Sequence, residues 1–328
     1  MSRTRAGGSW RRTLVVLVAV HVAAVLAPIL APYDPARQHR QHPLAPPTTV
    51  HVVDAEGRWR RPFVWACTEV GRPENCEARR FPVQVFTGAH LFGVEEPAWL
   101  FLLGTDALGR DVLSRVLHGA RVSLLSGLLA AALALGLGVL LGGLAGYYGG
   151  WRDRLVMRAV DAFEALPWLY LLLAVRAFLP LRMGPVESFL LIVALVGVLG
   201  WARPARVLRG VVLAARGREY VLAARSFGAS DLYIMRRHVL PQTSGVLLAQ
   251  ASLLVPAYML AEVTLSFLGL GVAEPVPSWG GMLAGLLEYP VLTRAWWLLA
   301  PGVAVAAVCA AYLKLNLALE EKWRNVQV

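Results

Sequence analysis

The chain has 328 residues, 57% of them hydrophobic and only 16% charged, with a formal net charge of +11. So apolar a balance excludes a water-soluble fold and indicates an integral membrane protein. The excess of base does not call for a nucleic-acid partner, because the arginines are spread over several connections rather than gathered on one soluble face.

In chain order, six weakly charged stretches read as membrane spans: 13–31, 122–149, 164–181, 188–202, 243–270 and 295–315. A helix needs about 20 apolar residues to cross a bilayer; Arg176 interrupts the third stretch and the fourth is short. The first stretch ends in Pro32-Tyr33-Asp34-Pro35 without a small-residue cleavage site, so it reads as a retained anchor rather than a signal peptide. Arginine is dense before the first stretch, between the second and third (Arg152, Arg154, Arg158) and between the fourth and fifth. The short alternate connections carry only Arg182 and Arg294, and the first outer segment, though rich in arginine, exceeds the roughly 60 residues beyond which the charge rule loses force, which places both termini in the cytoplasm. The expected architecture is an all-α membrane protein of about six transmembrane helices. Residues 1–31 form a tail and first helix, 32–102 an external segment, 103–120 an amphipathic interfacial helix, 121–318 a five-helix core with a cytoplasmic loop at 201–245, and 319–328 a tail.

The external segment contains Cys67 and Cys76, close enough in sequence to close a small loop on an oxidising side; spacing alone leaves the bridge and two free thiols both open. Its histidines, including His39, His42 and His51, lack metal-ligand spacing, so no metal site is expected. At 104–115, Thr105 reads as an N-cap, and Asp106/Arg110 and Asp111/Arg115 read as i,i+4 pairs on the interfacial helix. Within the second span, Gly138, Gly142 and Gly146 form a small-residue stripe suited to close packing by another helix. They are not a phosphate loop, since the only lysines are Lys314 and Lys322 and no Gly-Lys pair exists. No ATP site, cofactor or catalytic residue is expected on this chain.

The most distinctive stretch is a polar island from Arg218 to Pro241. Glu219 to Phe227 favours a helix, Gly228 supplies a left-handed turn, and Ser230 or Asp231 caps a second helix that ends before Pro241. Ala223 and Ala224 make a flat spot; Tyr220, Phe227 and Leu232 offer apolar anchors inside a rim of arginines, which is the anatomy of a docking surface. In the fifth span Glu262 is costly in lipid and must face the bundle interior, a partner or water; it is a candidate for gating or cargo contact together with Pro256 and Ser266. Pro167, Pro256 and Pro301 can interrupt their helices.

The island resembles the EAA loop of binding-protein-dependent ABC importer permeases. Ala223, Ala224, Gly228, Leu240 and Pro241 match its pattern, while Leu222 stands for the glutamate and His238 for the isoleucine. The segments Gly104-Thr105-Asp106 to Gly109-Arg110-Asp111, Gly146-Tyr147-Tyr148-Gly149-Gly150, Leu265-Ser266-Phe267-Leu268-Gly269-Leu270-Gly271 and Ser278-Trp279-Gly280 are similar, in the same order, to the dipeptide/oligopeptide/nickel subfamily. The resemblance implies a type I importer permease fold forming half of a translocation pathway. Its partners would be a second homologous permease, two cytoplasmic ATPases that bind ATP and Mg, and an external solute-binding protein. Glu219, Tyr220, Ala223, Ala224, Phe227, Gly228, Leu240 and Pro241 would contact the ATPase. The competing expectation is an ion- or proton-coupled secondary transporter using Glu262 and Asp161, which requires repeats or paired acids.

Overall fold

The computed structural model describes residues 3–54, 56–67, 76–87, 90–178, 180, 183–288 and 295–326; Arg182 and Arg294 lie outside them, as do the side chains of Cys67 and Cys76. The chain enters through α1 (Arg3–Val25) and the single turn α2 (Ala27–Leu30). The segment that follows departs from the all-α expectation. It forms a three-stranded antiparallel sheet of β1 (His51–Val53), β2 (Trp59–Cys67) and β3 (Cys76–Pro82), and a hairpin of β4 (Gln84–Thr87) and β5 (His90–Gly93). Val64, Ala66, Phe81, Ala98 and Leu100 form a small core of their own beneath the sheet. Alternation in Phe63-Val64-Trp65-Ala66 is the period-2 pattern that makes this possible.

The central helix α3 (Val112–Tyr148) is followed by α4 (Gly150–Ala165), α5 (Trp168–Phe178), α6 (Pro185–Leu199), α7 (Ala202–Arg216), α8 (Glu219–Ser226) and α9 (Asp231–Ile234). Then come α10 (Ser244–Phe267), α11 (Trp279–Ala284) and α12 (Ala300–Val326). Among the described residues three helices are long and apolar enough to cross a membrane: Val112–Tyr148, the continuous run Asp231–Phe267 and Trp296–Lys322. A fourth is obtained if α6 and α7, bent by 45° at their junction, count as one. The expected third span is reduced to α5, whose 11 residues cover about 16 Å at 1.5 Å per residue, roughly half the hydrocarbon thickness.

The glycine stripe finds its partner in α7. A Cβ at Gly138 would sit 2.8 Å from the Pro204 side chain and one at Gly146 2.6 Å from the Arg209 carbonyl, while one at Gly142 would overlap the Ala205 carbonyl. The two backbones touch with nothing between them, the contact that small residues allow. Sequence reading assigned 203–216 to a loop; it is an amphipathic helix that buries Ala205, Leu208, Val212 and Ala215 against the bundle.

The interfacial helix expected at 103–120 is not formed as such. Residues 104–111 are a hydrogen-bonded loop, and the helix that starts at Val112 runs unbroken into the second span. The N-cap is Asp111, whose carboxylate accepts from the Ser114 amide (2.7 Å) and hydroxyl (2.6 Å), and not Thr105. Asp106 accounts for the loop: its Oδ1 accepts from the amides of Leu108 and Arg110, both at 2.9 Å, and this local bonding competes with helix.

Candidate functional site

The island is built on the end of α3. Buried Val221, Ile234 and Val239 join Tyr147 of α3 and Val212 and Ala215 of α7 in one apolar cluster, with Ala224 packed on its edge. Tyr147 is the organiser that sequence reading passed over. Its hydroxyl donates to Asp231 Oδ1 (2.8 Å) and accepts from Arg225 (3.1 Å), while its carbonyl accepts from Arg216 (3.1 Å). One residue thus ties α3, α7, α8 and α9 together. The only signal in the sequence was its place in the Gly-Tyr-Tyr-Gly-Gly turn. Beneath the island, Arg209 grips Asp153 with two nitrogens and holds its carboxyl below the usual carboxylate range.

The turn at Gly228 is a Schellman motif. The Ala229 amide donates to the Ala224 carbonyl and the Gly228 amide to Arg225, with Gly228 at φ +81°, a conformation that a side chain disfavours. Ser230 then caps α9 by accepting from the Tyr233 amide at 3.4 Å. Pro241 does not end this second helix, contrary to the sequence reading. The chain passes through a π-helical turn (Met235–Val239) and a 3₁₀ turn (Leu240–Thr243) straight into α10. The widened turn absorbs the donor that Pro241 lacks.

These turns leave apolar side chains uncovered: Phe227 is 91% exposed, Leu232 66% and Tyr220 36%. Glu219, Ala223 and Pro241 are also exposed, and Leu240 is half-buried. His238 lies between the rings of Tyr220 (6.2 Å) and Tyr233 (5.7 Å), so the residue in the isoleucine position still packs. A hollow of about 380 Å³ beside the tip is lined by Ser230, Leu232, Tyr233, Arg236 and Arg237. An apolar tip with a cationic rim is suited to a groove in another chain.

Glu262 is fully buried, and its Oε1 accepts from the Ser266 hydroxyl at 2.6 Å. Ser123 of α3 and Ser278 stand near it. Ser123 accepts from the Trp279 amide (3.2 Å), and Ser278 caps α11 by accepting from the Gly281 amide (3.1 Å). In this conformation the carboxylate faces the protein interior, where α3, α10 and α11 meet. Pro256 lies inside α10, whereas Pro301 falls in the first turn of α12, where no helical donor is lost. The acids of the secondary-transporter reading are apart: Asp161 is exposed on α4 and pairs with Arg206.

At the opposite end of α3, the 104–111 loop is zipped to residues 39–45. Thr105 Oγ1 accepts from the Ala45 amide (2.8 Å) and donates to the His42 carbonyl (2.6 Å); the His39 amide donates to Gly109. Arg110 and Arg115 each hold one oxygen of Glu274, at 2.9 and 2.8 Å. Burial pushes the Asp111 carboxyl up to about 6; burial, reinforced by Arg37 and His42, pushes His39 down to about 4.

Bundle and island together define a multi-span helical membrane protein. Residues 138–325 match the family described as binding-protein-dependent transport system inner membrane component. The chain is 35% identical over 321 residues to a di/tripeptide transport system permease protein of Pseudomonas aeruginosa, covering 95% of this chain and 88% of that one. It is 40% identical over 219 residues to a dipeptide transport system permease protein of Bacillus subtilis, covering 66% of each. An oligopeptide transport system permease protein of the same organism is 39% identical over 191 residues, covering 57% of this chain and 61% of that one. The chain belongs to the binding-protein-dependent transport system inner membrane components, the permease subunits of ABC importers. As such it is a membrane subunit without an ATP-binding domain of its own, ATP hydrolysis falling to a separate chain.

Proposed function

We propose that this chain forms half of the translocation pathway of an importer for dipeptides, oligopeptides or related solutes in a bacterial or archaeal cytoplasmic membrane. It crosses that membrane about six times with both termini inside. It pairs with a second homologous permease, takes cargo from an external solute-binding protein and is driven by two ATPases that bind ATP and Mg. The observation that carries the coupling role is the 91% exposed Phe227 at the tip of an island pinned to α3 through Tyr147. Glu219, Tyr220, Ala223, Ala224, Phe227, Gly228, Leu240 and Pro241 form or support the ATPase contact. The residues Glu262, Ser266 and Pro256 act on gating by setting how α10 meets α3 and α11. The peptide cargo is supported by the names of the relatives. Cys67 and Cys76 are opposed in the β2–β3 register; we assign them a disulfide, since directly opposed antiparallel positions lie within bridging reach.

The test is gentle purification of the tagged protein from its own membrane, with identification of the chains that travel with it. The wild type should bring a second permease and ATP-binding chains. Gly228→Pro and the milder Phe227→Asp should lose the ATPases while the permease pair persists. A lone protein or homo-oligomer, under conditions that preserve a known ABC complex, would overturn the proposal.

A further inference from the structure

Arg121 lies on the exposed side of α3, toward the end of the bundle opposite the island, immediately before the uncharged stretch 122–149. At that end Arg37, Arg110 and Arg115 each have a carboxylate partner. Arg121 has no hydrogen-bond or ion-pair partner among the described residues, and two hollows meet at it. One, of about 490 Å³, runs between α1, α3 and α12, walled by Leu14, Val18 and Val22 on α1 and by Leu125, Leu128 and Leu315 opposite. Its polar groups are satisfied internally: His21 Nδ1 donates to the Leu17 carbonyl (2.8 Å), and Nε2 accepts from the Tyr312 hydroxyl (3.3 Å). The other, of about 420 Å³, lies on the far side of Arg121 between α3, α6 and the loop after α10.

We propose that this pair of hollows is a binding site for an anionic phospholipid, with one acyl chain in the α1–α3–α12 groove and the phosphate on the Arg121 guanidinium. The groove has one charge, at one end, and an apolar wall below it. The α1 wall from Leu14 to Val25 runs about 16 Å at 1.5 Å per residue, close to the roughly 15 Å depth of one hydrocarbon leaflet. A guanidinium at that boundary takes a phosphate through two parallel charge-assisted hydrogen bonds. A phospholipid brings acid and chain in the required order, whereas a partner helix would have to supply a carboxylate at that one level.

The protein is purified from its own membrane, with whatever chains accompany it, in mild detergent, and phosphatidylglycerol retained per copy is counted by lipid extraction and native mass spectrometry. The wild type should hold one tightly bound molecule. Arg121→Ala should lower retention about tenfold, the loss of one charge-assisted contact; Arg121→Lys should keep most of it. Leu128→Trp, which fills the groove and leaves the charge, should also lose the lipid, and Arg152→Ala at the other end should not. All variants are compared at equal elution volume and melting temperature, so a folding failure is recognised as such. Equal lipid in the wild type, Arg121→Ala and Leu128→Trp would overturn the proposal. So would a photocross-linker at position 128 that captures a second permease chain instead of lipid. The count requires no ATPase, so it stands or falls apart from the coupling role.

Discussion

The two ends of α3 carry two kinds of extramembrane structure. At the far end the β segment closes over its own core of Val64, Phe81 and Leu100, and the 104–111 loop is stitched to residues 39–45 by backbone hydrogen bonds. At the island end the apolar cluster is borrowed: Tyr147, Val212 and Ala215 belong to the bundle, and Phe227 and Leu232 remain uncovered. A segment that satisfies itself is built to persist, whereas one that leans on a spanning helix and exposes its anchors is what the proposed coupling role calls for. Phe227 contributes nothing to the island's own cluster, so folding does not account for its exposure, and the proposed ATPase contact would.

The largest effect should separate these roles. Phe227→Asp should reduce transport by more than about tenfold, the scale of a truncated interface anchor, with the melting temperature of the permease pair unchanged. A parallel fall in melting temperature would place Phe227 in the fold instead. Gly142→Leu should do the opposite, destabilising the whole bundle by at least about 1–3 kcal/mol through overpacking against α7, as read by detergent melting and loss of the assembled pair. Thr105→Val leaves the buried Ala45 amide without its acceptor and should cost about 1–3 kcal/mol at the far end, with ATPase association intact.

The far end should also respond to pH, with opposed signs. His39, depressed to about 4, contributes stability that is present above its unfolded value near 6.5 and lost as pH falls toward 4. Asp111, raised to about 6, contributes stability that is present below its unfolded value near 3.8 and lost as pH rises through 6. The wild type should therefore change little between about pH 4 and 6, apart from the acid lability added by His42, which burial also depresses. His39→Phe should uncover a loss of stability with rising pH over that window, and Asp111→Asn a loss with falling pH. Each amounts to about 3 kcal/mol at 1.36 kcal/mol per unit, followed by melting of the purified protein. The smallest effect is expected from Tyr147→Phe, which removes the hydrogen bonds to Asp231 and from Arg225, two half-exposed partners that water can serve instead, about 1 kcal/mol in all; the ATPase contact should loosen before the bundle melts.

Much of the island was readable because its signals are local. Gly228 with its φ of +81°, the Ser230 cap and the acceptor of the Ala229 amide all lie within a few residues of one another. Pro241 misled, because a proline stops a helix by local rules, but the π turn at Met235–Val239 lets it pass. The interfacial helix failed for a similar reason. Asp106 and Arg110 do form the expected pair, but a carboxylate that captures nearby amides makes a loop of the same spacing. The helix α7 was legible in principle, since Ala202, Ala205, Leu208, Val212 and Ala215 recur at helical intervals, but its arginines dominated the reading. On the structure these arginines face α4, where Arg206 and Arg209 meet Asp161, Glu164 and Asp153.

The sequence by itself determined that this is a membrane protein, that a glycine face on the second span awaits a close neighbour, and that the island turns at Gly228. Each of these depends on composition or on residues a few positions apart, where covalent geometry and hydropathy act directly. Only the tertiary structure decided that α7 fills the glycine face, that Tyr147 reaches 84 residues ahead to Asp231, and that Glu262 is buried where α3, α10 and α11 meet. Those partners are distant in sequence, and packing, which has no periodicity to read along the chain, is what brings them together.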